Sequence, residues 1–211
     1  MNAPSDCESV VWQGREYVKS LLNGFFILIA SFFIMNHAGN YATKMAEIPV
    51  GDIVLDNLII RDVSFFHVQI AIFFWVLFTV YMLTKPSFIP FIIKTISLFL
   101  LVRSAFICMT HLGVPSNKLV IPDDVSSLVL FNGDLFFSGH VGAPFLMMLV
   151  FWQEKVVRYV CLSASIIFAY IVLVGHIHYS IDVFAAPFIT YSIFNLSTFI
   201  FAKDYQRLKR I

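Results

Sequence analysis

The sequence predicts an all-α, polytopic membrane protein, a single bundle of six transmembrane helices, and three observations carry that expectation. First, 59% of the 211 residues are hydrophobic and 13% charged, with a mean hydropathy of +0.85, a balance that soluble domains rarely show. Second, six apolar segments recur, at about 21–35, 63–83, 88–109, 136–152, 159–174 and 181–201. Several reach the roughly 20 residues that a bilayer core needs, and the shorter ones do so with their semi-polar flanks. Third, basic residues are unevenly shared between the two sets of connections. Ten (Arg15, Lys19, Lys85, Lys94, Lys155, Arg158, Lys203, Arg207, Lys209, Arg210) fall on one side and four (Lys44, Arg61, Arg103, Lys118) on the other. The excess marks the first side as cytoplasmic. Both termini are then inside, and the first, third and fifth connections face outward.

Residues 1–20 carry Asp6, Glu8, Arg15, Glu16 and Lys19 with no clear small-residue cleavage site, so they are expected as a retained cytoplasmic segment. Val10, Val11, Trp12 and Tyr17 give part of it the look of an interfacial helix. The membrane domain is expected over 21–202 and a basic cytoplasmic tail over 203–211. After the first span, residues 36–40 and the run Glu47-Ile48-Pro49-Val50-Gly51-Asp52, with Asp56 beyond it, read as a solvated surface loop. Pro90 fits the first turn of the third span, whose amides lack intrahelical partners. The third connection, about 110–135, is long enough to be functional or disordered, and it holds Pro115, Pro122, Asp123 and Asp124. The fourth, 153–158, is short and makes its flanking helices antiparallel neighbours, and the fifth, 175–180, is equally short.

Two function classes fall away early. Cys7, Cys108 and Cys161 are scattered, which offers neither a disulfide framework nor a metal spacing. A net charge of +1 points to no nucleic-acid partner, and the basic C-terminal run serves as a positive-inside anchor.

The chemistry concentrates in two polar knots. In His176-Ile177-His178-Tyr179-Ser180-Ile181-Asp182, His178 and Asp182 are four apart. On a helix they share a face, and the carboxylate can orient the imidazole as a nucleophile. The plainer alternative is a set of interfacial polar residues at a helix end. In Gly133-Asp134-Leu135-Phe136-Phe137-Ser138-Gly139-His140, Ser138 and Gly139 open a helix whose free amides suit an anion. Arg103, about one turn from the outer end of the third span, suits a phosphate by its planar fork; its bland readings are snorkelling or a structural pair with Asp134. Together these residues predict phosphoryl transfer. His178 attacks phosphorus, Arg103 and the amides hold the equatorial oxygens, and His140 protonates the leaving alcohol before acting in reverse as a base. No cofactor or metal enters this scheme.

These residues resemble the sphingomyelin synthase branch of the type-2 phosphatidic acid phosphatase superfamily. Gly133-Asp134 with Ser138-Gly139-His140 is similar to that branch's Cys-Gly-Asp-x-x-x-Ser-Gly-His-Thr, and His178-Tyr179-Ser180-Ile181-Asp182-Val183 to its His-Tyr-Thr-x-Asp-Val. Weaker likenesses join Arg103, Thr110, Leu112, Val114 and Pro115 to the branch's arginine segment, and 48–56 to its first motif. Asn132, Val141, Ser180 and Gly113 depart from the pattern without removing a catalytic group. The resemblance implies a nucleophile at His178, an orienting carboxylate at Asp182, an acid/base at His140, and six spans with cytoplasmic termini and an outward site. It also implies transfer of phosphocholine or phosphoethanolamine from a phospholipid to ceramide or diacylglycerol. The alternatives are hydrolysis of lipid phosphates or phosphodiesters with water as acceptor, and a proton-coupled transporter. An intramembrane serine protease at Ser138 lacks its motif context. Zinc at His176, His178 and Asp182 meets the objection that positions two apart on a helix face different ways. Asp134, His176 and Tyr179 are expected in supporting roles, His176 either binding substrate or capping the fifth helix. The implied partners are membrane lipids, and the expected setting is a bacterial inner membrane with a periplasmic site, or a lumenal one in a eukaryote.

Overall fold

The computed structural model describes residues 6–115 and 135–209. Every described element is helical: α1 (Asp6–Met45), α2 (Ala71–Leu83), α3 (Ile89–Met109), α4 (Gly139–Val150), α5 (Lys155–Val174), α6 (Ser180–Ile200) and α7 (Ala202–Lys209). A π-helical turn, Phe66–Ile70, leads into α2, and short 3-10 turns lie at Leu55–Asn57 and Pro86–Phe88.

Among the described residues, five helical stretches are long and apolar enough to cross a membrane: Gly14–Met45, Phe66–Leu83, Pro86–Met109, Lys155–Val174 and Ser180–Ile200. The expected span at 136–152 is shorter. Its helix has 12 residues, which at the usual rise makes about 18 Å against a hydrocarbon core of about 30 Å. Ser138 is still extended (φ −60°, ψ 117°), so the helix starts only at Gly139, and it ends where the Phe151 amide closes on the Met147 carbonyl. Burial explains why this is tolerated. Val141, Leu146, Met147, Met148 and Val150 are all enclosed, α4 packs on α5 and α6, and Ser165 of α5 donates to the Val141 carbonyl. A helix walled by protein need not match the thickness of the lipid.

The first helix corrects the expected loop at 36–40. It continues to Met45 because its polar residues are satisfied locally: Asn40 Nδ2 donates to Asn36 Oδ1 at 3.0 Å, and Thr43 Oγ1 to the Gly39 carbonyl at 2.8 Å. Ala38 and Ala42 close on Ile107 of α3, and α3 is the main partner of α1. The opposite face, with Phe26, Ile29 and Phe33, stays exposed, as a lipid-facing surface requires.

Lys94 is the second correction. It was read as a flanking charge, yet it is buried in α3 and its Nζ lies 2.7 Å from Asp204 Oδ2 of α7 and 2.7 Å from Ser20 Oγ of α1. A buried ammonium needs such a partner. Ser20 also donates to Asp204 Oδ1 at 2.6 Å, so three helices are tied at the end of the bundle away from the polar knots.

The connection 46–62, expected as a solvated loop, is largely exposed, and it is also anchored to the bundle at several points. Glu47 donates its amide to the His111 carbonyl and Arg61 its amide to the Val174 carbonyl. Leu55 is buried with Leu135 and Tyr179. At Gly113 any Cβ would collide with the Glu47 carbonyl oxygen and the Ile48 backbone, so only glycine lets the two connections touch.

Candidate active site

The end of the bundle where α3 and α5 finish and where α2, α4 and α6 begin gathers the ionisable residues. Residues 172–178 form a tight turn in which the Ile177 amide returns to the Val172 carbonyl at 2.9 Å. His176 takes a positive φ of 50° there, a conformation that histidine adopts more readily than most side chains. The turn delivers His178 and Asp182 to the start of α6, both buried. His178 Nδ1 faces Asp182 Oδ2 at 3.4 Å, long for a hydrogen bond, and it has no hydrogen-bond partner among the described residues. The same oxygen accepts the Tyr179 amide at 2.9 Å, so Asp182 caps its own helix while it faces the imidazole. With Nδ1 turned to the carboxylate, Nε2 is the nitrogen left for chemistry.

The other knot docks against this one through the backbone. The Ser138 amide donates to the Asp182 carbonyl at 3.0 Å, so it is not among the amides open to a ligand. The Ser138 hydroxyl is buried and has no hydrogen-bond partner among the described residues, and the same holds for Asp182 Oδ1. Arg103 reaches across from α3. Its Nε donates to the Phe137 carbonyl at 2.7 Å, and the guanidinium lies over Gly139, where a Cβ would come within 3.3 Å of Nε. Gly139 thus lets Arg103 pack close against the start of α4. His140 is within electrostatic reach of His178, Arg103 and His67.

His67 is the residue that sequence reasoning missed. The π-helical turn before α2 places it inside the bundle, buried, with its ring centroid 4.3 Å from that of His140. Its signal was present, since an ionisable side chain inside an apolar segment is itself a pointer to function; π-turns are also frequent at such sites.

Of the remaining expected residues, Tyr179 acts as an anchor. Its hydroxyl donates to the Gly113 carbonyl at 2.8 Å and accepts the Val50 amide at 3.1 Å. Asp52 completes this clasp by accepting the Ser180 amide on Oδ2 at 2.6 Å and the Val54 and Leu55 amides on Oδ1. Burial pushes the Asp52 carboxyl up, but these bonds and the Ser180 hydroxyl outweigh it and hold the group below its ordinary range. His176 faces a neighbouring cavity. Asp134 lies outside the described residues.

The fold and these residues define a helical membrane protein with a histidine-carboxylate centre backed by an arginine. A family model described as the C-terminal part of the PAP2 superfamily matches residues 132–199 and includes Ser138, Gly139, His140, His178 and Asp182 but not Arg103. The match spans about a third of the chain and is a likeness to the PAP2 superfamily. No curated protein matches the chain.

Proposed function

We propose that the protein is an integral membrane phosphotransferase that cleaves a phosphate ester of a lipid head group through a phosphohistidine at His178. The observation that carries this reading is the buried His178–Asp182 pair at the N-terminus of α6, with Arg103 and His140 beside it. His178 Nε2 forms a bond to phosphorus as the ester P–O bond breaks, Arg103 and the first-turn amides of α4 hold the equatorial oxygens, and His140 gives its proton to the departing alkoxide. An acceptor hydroxyl then passes its proton to His140 and displaces Nε2 from phosphorus, which restores the enzyme. Asp182 keeps Nδ1 protonated and the ring in line throughout.

The acceptor is a ceramide or diacylglycerol hydroxyl, as in the sphingomyelin synthase branch that the motifs resemble. The site faces outward and both termini are cytoplasmic. Lys85, Lys155, Arg158 and Lys203, at the end of the bundle opposite the site, support that orientation. Purified protein given phosphatidylcholine or phosphatidylethanolamine, with and without ceramide, should release a ceramide-dependent phospholipid product. The product should disappear in His178→Ala with the fold retained. Free head-group phosphate formed regardless of ceramide would make water the acceptor, and turnover that persists in His178→Ala would end the phosphohistidine assignment.

A further inference from the structure

Beside the His178 centre lies a second cavity of about 250 Å³ whose polar walls are Asp52, Asp56, His176 and Tyr179. Its charge is one-sided. The Asp52 carboxylate is fixed in place by three backbone amides. Among the described residues the exposed Asp56 side chain forms no ion pair and no Lys or Arg lines the cavity. His176, only 6% exposed, leaves its Nε2 without a hydrogen-bond partner among the described residues. A buried imidazole nitrogen in that state is an unused acceptor or donor. The Tyr179 hydroxyl is already engaged on Gly113 and Val50, so what this side chain offers a ligand is its ring, a wall suited to a cation.

Two carboxylates, an aromatic face and an unused imidazole would repel a second anion and attract a small cation. We propose that this cavity binds the ammonium of a phospholipid head group while the phosphate of the same lipid lies at His178; the assignment rests on the function proposed above. The cavity residues His176 and Tyr179 flank His178 along the chain. A cavity of about 250 Å³ has room for an ethanolamine or choline group. Asp56 would then be a specificity residue that never touches the reacting atoms.

Dihexanoylphosphatidylethanolamine and dihexanoylphosphatidylglycerol share chains, glycerol and phosphodiester and differ in head-group charge. Their binding to the full chain in detergent, followed by calorimetry below the micellar concentrations, tests the assignment. The ethanolamine lipid should bind about tenfold more tightly, and Asp56→Asn should remove most of that difference while leaving the glycerol lipid unaffected. Equal affinities in the unaltered protein, or a preference that survives Asp56→Asn, overturns it. Turnover of the same lipids separates the two readings. A binding preference without His178-dependent turnover keeps the cavity assignment and removes the reaction, whereas His178-dependent turnover without a preference removes the cavity assignment alone.

Discussion

Arg103 shows how one side chain can serve position and charge together. Its Nε is fixed on the Phe137 carbonyl and its plane lies on Gly139, which makes the guanidinium a rigid group beside the site. Lysine would keep the charge and lose the fork. Arg103→Lys should therefore lower kcat/KM by about a hundredfold or more with little change in thermal stability, and an unchanged rate would make Arg103 structural. At this scale the sequence was readable wherever spacing carries geometry. His178 and Asp182, four apart, meet on one helix face, and Ser138 to His140 open a helix as their residue types suggest. His67 carried a signal as an ionisable residue in an apolar run, but its place beside His140 was not readable, because that depends on a π-helical turn that no spacing rule anticipates.

At the scale of the element, the docked connection 46–62 bears most on how the site is held. Asp52 is a pH-sensitive joint between this connection and α6. Its carboxyl lies below the ordinary range in the folded protein, so its contribution is complete above the unfolded value of about 3.9 and is lost as pH falls through the lower, folded value. Asp52→Ala removes an acceptor for three amides and should cost about 1–3 kcal/mol at neutral pH, read as a lower melting temperature and faster proteolysis within 46–62. The variant should also lose the part of the acid-induced destabilisation seen in the parent below about pH 4. Unchanged cleavage at 46–62 would show that the clasp does not hold this segment. The docking was illegible beforehand because Pro, Gly and acids describe a loop without saying what it lies against. The run of α1 past Asn36, His37 and Asn40 was hidden for a related reason: the side chains that look like a break are paired along the helix. The short α4 escaped because an apolar segment looks alike whether lipid or protein surrounds it.

For the whole molecule, composition gave the membrane-helical class and the number of apolar segments, but not which of them would be enclosed by the others. Nor could it reveal that Lys94, one of the charges used to orient the chain, is neutralised internally. With side chains of Lys94 and Asp204 only 8% and 7% exposed, removing one partner leaves a buried charge. Asp204→Ala should cost about 3–5 kcal/mol, while the double change Lys94→Met with Asp204→Leu should recover most of it. Thermal unfolding in detergent of the parent, Asp204→Ala, the single changes Lys94→Met and Asp204→Leu, and their double checks this, and strict additivity of the Lys94→Met and Asp204→Leu losses would show that the pair does not act as a unit.

The tie has a further consequence, which concerns time. Lys94 and Asp204 are 110 positions apart along the chain. During synthesis, at about 5–20 residues per second, α3 is made several seconds before its carboxylate exists. Through that interval the ammonium has only hydroxyl or lipid head-group company, and α1 and α3 are not yet fastened by α7. The last fixed contact of the bundle thus closes from the C-terminal side, at the end away from the catalytic candidates.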